Sequence, residues 1–137
     1  MTIQKIINSI FRQDFRDHKV LGRVLFGVAM LFIGLMNLFQ ISRYAGYAPD
    51  YLPVPQLLVI GVGSILTLAG FMIFANLHTQ RSAQAIVLLF ISFVLIVNLP
   101  QSNMLDLAQN FAFIGGALLV AQEAKRENET KKKETST

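Results

Sequence analysis

Apolar residues in this chain fall into four blocks, at residues 21–40, 56–77, 83–99 and 105–122, and none has a charged side chain near its centre. Crossing the ~30 Å hydrocarbon layer at 1.5 Å per residue takes a helix of roughly 20 residues. Each block comes close to that length; the third is the shortest and is expected to stand nearly upright. Because backbone polar groups inside a bilayer must be satisfied within the segment, the pattern predicts an all-α, integral membrane, antiparallel four-helix transmembrane bundle.

The ends of the chain read differently. Ile3, Ile6, Ile7, Ile10 and Phe11 recur at helical spacing, with Lys5, Arg12, Arg16 and Lys19 among the polar positions. This predicts a short amphipathic helix lying at the membrane surface ahead of the bundle. The long lead before the first block and the length of its apolar core set it apart from a cleavable signal peptide. Residues 123–137 mix Glu and Lys with Thr and Ser and are nearly free of apolar side chains. Such a segment cannot offset its ordering entropy and is expected to be disordered. The chain therefore divides into a leader (1–19), a membrane domain (20–122) and a charged tail (123–137).

The longest connection, residues 41–55, holds Tyr44, Tyr47 and Tyr51 together with Pro49, Pro53 and Pro55. Proline fixes φ and biases its predecessor toward extended geometry, so a stiff strap is expected, with its tyrosines at headgroup level. A lid over a binding site is the sharper alternative. Inside the blocks, small residues follow helical seams. Arg23, Gly27, Met30, Gly34 and Asn37 lie on one stripe, and Gly63, Thr67, Gly70 and Phe74 on another. Small side chains let membrane helices approach closely, and Gly115, Gly116 and Ala117 offer the same in the fourth block. Seams of this kind facing lipid would also suit a homo-oligomer.

Composition narrows the chemistry. With 53% hydrophobic and 15% charged residues, the chain belongs to the membrane class. Cys is absent, which excludes disulfides, thiolate metal sites and Cys-linked haem. His18 and His78 flank the apolar blocks, so a bis-His haem cannot be built in the bundle. The net charge of +4 raises nucleic acid as a partner, but the distribution argues for a bilayer instead. Of the 12 Lys and Arg, all but Arg43 lie before or at the very start of the first block, between the second and third, or after the fourth. Basic flanks stay cytoplasmic, so both termini are expected on the cytoplasmic side of the membrane.

Given that orientation, the uncharged polar residues of the spans gather in the outer half. Asn37, Asn98, Asp106, Gln109 and Asn110 lie near outer helix ends, and Ser64 sits roughly 12 Å deep. Intramembrane polar groups often line a site, so these six residues form a candidate substrate-binding pocket under the strap. The plainer reading is that helix ends meet headgroups and water, and that amides join helices. No ionisable residue lies between Arg23 and Asp106 in depth, which argues against a proton pump. Phosphate loops, metal motifs and a nucleophile with its base are missing, so no catalytic or metal-binding residue is assigned.

Taken in order, four segments resemble the DoxX-like family of small four-span membrane proteins. They are GRVLFGVAMLFIGLMNLF, YAPDYLPVPQLLVIGVGSILTLAGFMIF, RSAQAIVLLFISFVLIVNLP and LDLAQNFAFIGGALLVA, the last carrying Asn110, Gly115 and Gly116. Ser64 stands where many members carry Glu, and Gln109 where a Lys is frequent. The resemblance implies a subunit of a membrane-bound oxidoreductase assembly, linked in some members to sulfur oxidation with quinone and in others to oxidative-stress defence. No cofactor is evident from the residues themselves; the resemblance alone implies quinone, and with it an oxidoreductase protein as partner. Three roles follow: a non-catalytic subunit or anchor of a redox or stress-related complex, a quinone- or small-substrate-binding oxidoreductase subunit, and a small-solute carrier.

Overall fold

A computed structural model describes the backbone of residues 3–101 and 103–136, and their side chains outside residues 6–17. The described residues form helices joined by turns and short irregular links, with no strand. Helix α1 runs Ile3–Phe39, α2 Ile41–Ala45, α3 Pro55–Phe74 and α4 Thr79–Phe93. A π-helical turn, Val94–Asn98, follows α4, then α5 (Leu99–Gln101) and α6 (Met104–Thr135). Four segments are long and apolar enough to cross a membrane: His18–Phe39, Pro55–Phe74, Thr79–Gln101 and Met104–Thr135. The four-span helical bundle read from the sequence is the architecture found.

Three boundaries differ from expectation. The third span has 23 residues and the second 20, so the third is not the shortest. Its first turn was missed because it is polar, yet Thr79 and Ser82 are buried there. Thr79 donates to Asn76 Oδ1 at 3.1 Å and Ser82 to the Met72 sulfur at 3.6 Å. Second, α1 continues without interruption from Ile3 through the first span instead of forming a separate leader helix. No Pro or Gly occurs at 12–21 to break it. The amphipathic face expected at Ile6, Ile7, Ile10, Phe11, Arg12 and Arg16 lies outside the described side chains.

Third, α6 carries the chain to Thr135 where disorder was expected from residue 123. A lack of apolar residues removes the means to form a core, but Glu, Lys, Gln and Arg are good helix formers. Lys125 and Glu129 approach to 4.0 Å across one turn, and the Thr130 hydroxyl donates to the Arg126 carbonyl at 3.0 Å. Propagation from an already nucleated span is favourable even where an isolated peptide of this composition would be marginal.

Helix α1 packs chiefly on α3, and α4 chiefly on α6, while α3 and α4 join the pairs. The first contact is made by the two stripes of small residues seen in the sequence. A Cβ at Gly27 would lie 2.7 Å from the Phe74 amide nitrogen and 3.0 Å from the Gly70 carbonyl oxygen. The backbones are thus in direct contact, as expected where lipid supplies no hydrophobic drive between helices. Higher up, Asn37 and Leu38 cover Gly63. Met30, Leu66, Ile73 and Ile86 fill the centre of the bundle with no appreciable exposure. Phe90 and Phe113 stack at 5.2 Å between α4 and α6. Outside, Phe32, Leu88 and Leu119 are exposed, as lipid-facing positions should be.

Lys19 pairs with Glu123 at 2.8 Å, which sets the start of the first span beside the end of the fourth. The bundle therefore has a charged end, with that pair and the α3–α4 turn, and a loop end, with the strap and the turn before α6.

Candidate functional site

Pro100 shapes the loop end. It has no N–H, so the carbonyl four residues earlier, that of Ile96, cannot receive its usual helical donor. The hydroxyl of Tyr51, on the strap, donates to that carbonyl. The chain leading to Pro100 widens into the π-helical turn Val94–Asn98, a local expansion that often marks functional sites. It turns Val97 and Asn98 into the space beneath the strap.

On the other side, the strap ends at Val54, whose φ of 54° is left-handed and uncomfortable for a β-branched residue. Pro55 then opens α3 at its first turn, where its missing N–H costs nothing. Across the cavity, Asn103 caps α6. Its Oδ1 accepts from the Leu105 and Asp106 amides at 3.2 and 3.4 Å, and its Nδ2 donates to Asp106 Oδ2 at 2.6 Å. Asp106 is thereby tied into the helix start, and its carboxylate also complements the positive end of the helix.

These elements enclose a cavity of about 470 Å³. Leu58, Val59, Val62, Phe93 and Val97 supply apolar wall, while Tyr44, Tyr47, Ala48, Pro49 and Leu52 of the strap roof it. Five of the six residues singled out from the sequence line it: Asn37, Asn98, Asp106, Gln109 and Asn110. Ser64 does not; it is half-buried on α3, one position beyond the seam residue Gly63. Gln101 and Asn103 add to the polar lining.

Asn98 is the most telling of these. Only 5% of its surface is exposed, and its Nδ2 is covered without a hydrogen-bond partner. A buried amide donor left unsatisfied costs ~1–3 kcal/mol. Had the polar residues served as interhelical glue, their side chains would be bonded to one another. Among the described residues, the amides of Asn37, Asn98, Gln109 and Asn110 make no such bond. The terminal amide torsion of Asn is broad and roughly two-fold, so a half-turn exchanges its donor and acceptor ends.

The donors and walls together suit a small, largely apolar molecule bearing carbonyl or hydroxyl oxygens. No cluster of three His, Asp or Glu able to hold a metal ion occurs among the described residues.

The sequence missed two features. The roofing role of Tyr44 and Tyr47 was legible only as an alternative to headgroup anchoring, since both readings place tyrosine at the same depth. The capping role of Asn103 could have been found from its spacing to Asp106, an Asn followed three residues later by a carboxylate.

No curated protein and no solved structure matches the chain. The DoxX family model matches residues 18–99, which take in the first two spans and all but the last two residues of the third. The fourth span, with Asn110, Gly115 and Gly116, lies beyond the match. As more than half of the sequence is covered, the chain belongs to the DoxX family.

Proposed function

We propose that this protein is the ligand-binding membrane subunit of a redox- or stress-related assembly, holding a small oxygen-bearing neutral molecule, of the quinone-head class, in the loop-end cavity. The observation that carries this reading is the covered, unpartnered amide of Asn98 in the wall of a cavity lined by apolar side chains, further amides, two tyrosines and the Asp106 carboxylate, which Asn103 engages. A ligand carbonyl would satisfy it, and Asn37 and Asn110 lie in the same lining for a second polar contact. The role is one of binding and orientation: the chain's residues hold the molecule, and electrons come from a partner oxidoreductase.

A carrier is the weaker reading. The centre of the bundle is filled by Met30, Leu66, Ile73 and Ile86, and the cavities at the two ends share no lining residue. The distribution of Lys and Arg supports a cytoplasmic location for the charged end, so that the cavity opens outward in a bacterial inner membrane.

The test uses the protein's own tyrosines. There is no Trp, and two of the three Tyr, Tyr44 and Tyr47, line the cavity. Titrating a short-chain benzoquinone into the protein in nanodiscs should quench tyrosine emission saturably, and Asn98→Ala should weaken the apparent affinity roughly tenfold. Quenching that stays linear with concentration, or that is the same in the variant, would rule this reading out.

A further inference from the structure

A second cavity, of about 270 Å³, lies at the charged end between α1, the α3–α4 turn and α6, opposite to the proposed ligand site. Part of its lining is apolar, made by Val20, Leu119 and Val120, and Gly22 leaves an open notch beside them, since a Cβ at that position would meet nothing within 4 Å. Val20 and Leu119 are also exposed on the flank of the bundle, so the notch continues onto the lipid-facing surface. Another part is charged and polar, with Lys19, Arg23, Asn76, Glu123 and Glu127.

Two of these charges cancel: Lys19 and Glu123 pair at 2.8 Å. Two remain. The Nε of Arg23 is covered and has no hydrogen-bond partner. Glu127, one turn beyond Glu123 on α6, forms no ion pair among the described residues. A guanidinium without an anion and a carboxylate without a cation thus line one cavity, yet they do not pair with each other. The missing complement is a molecule carrying both signs.

We propose that this cavity binds the head of a zwitterionic aminophospholipid, with its phosphate at Arg23, its primary ammonium at Glu127 and one acyl chain along the Gly22 notch. Arginine presents a fork of donors matched to phosphate oxygens. An ammonium donates hydrogen bonds to a carboxylate, which a trimethylammonium cannot do. An anionic glycerol head would leave Glu127 uncompensated and set two negative charges in one cavity. General snorkelling of Arg23 toward headgroups would show no such preference.

The test is native mass spectrometry of the full chain, delipidated in non-ionic detergent and titrated with short-chain phosphatidylethanolamine, phosphatidylcholine and phosphatidylglycerol, and with free phosphoethanolamine. Phosphatidylethanolamine should bind about three- to fivefold better than phosphatidylglycerol, the scale expected of one partly solvated ion pair. Glu127→Gln, an exposed helical change that leaves the bundle intact, should erase that preference. Arg23→Gln should lower retention of all three lipids roughly tenfold. Equal binding of the ethanolamine and glycerol lipids by the unaltered chain, or a preference that survives Glu127→Gln, would overturn the proposal. Free phosphoethanolamine binding as well as the lipid would overturn the lipid source. Asn98→Leu, at the other end, should leave every one of these ratios unchanged.

Discussion

The hydroxyl of Tyr51 donates to the carbonyl of Ile96, the acceptor that Pro100 strips of its helical partner. One proline therefore creates both a vacancy in the third span and the means of fastening the strap above the cavity. The strap is thereby fastened to the third span.

Replacing Tyr51 by Phe should remove that latch while leaving the ring in place. The expected cost is ~1 kcal/mol, the net worth of one hydrogen bond. Amide exchange across residues 41–54 should speed up accordingly. In a Pro100→Ala background, where the backbone can supply its own donor to Ile96, the same change should cost clearly less. Equal costs in both backgrounds would show that the Tyr51 contact is independent of the proline.

The glycine seam makes a sharper stability prediction. A side chain at Gly27 would meet the Phe74 backbone at 2.7 Å, and backbone cannot yield as a flexible side chain can. Gly27→Val should lower the thermal midpoint markedly or prevent folding, since overpacking alone costs ~1–3 kcal/mol before any backbone shift. Gly61→Ala, in open space on the same helix pair, should be close to neutral. Thermal unfolding of the two variants in one detergent decides the matter.

How much of this was legible beforehand depends on the kind of signal. Span number and the α1–α3 seam were readable because apolar length and small-residue spacing act locally along one helix. Clustering of Asn37, Asn98, Asp106, Gln109 and Asn110 was readable from depth counting alone, given an antiparallel bundle. Ser64 was misplaced because depth fixes height but not the face of a helix, and one residue beyond Gly63 is a turn of about 100° away. The Tyr51 latch and the unpartnered Arg23 were hidden, since each depends on residues far apart in sequence. The tail was misjudged because low hydrophobicity was taken to forbid a helix when it forbids only a core.

Orientation has a direct test that the absence of Cys makes clean. Asp50→Cys on the strap and Thr130→Cys on α6 should react with a membrane-impermeant thiol reagent from opposite sides. In intact cells stripped of any outer membrane, the Asp50 position should label and the Thr130 position should label only after lysis. The reverse pattern would place the charged end outside.

Asn98 is the central residue: its amide nitrogen is covered and has no hydrogen-bond partner among the described residues. The most direct measurement takes Asn98→Leu and records its thermal midpoint and its quinone titration in the same nanodiscs. Removing an unsatisfied buried amide worth ~1–3 kcal/mol should raise the midpoint by a few degrees. Saturable quenching should be lost at the same time. A variant that is less stable and binds as before would mean that Asn98 is a structural residue and the cavity is not a site.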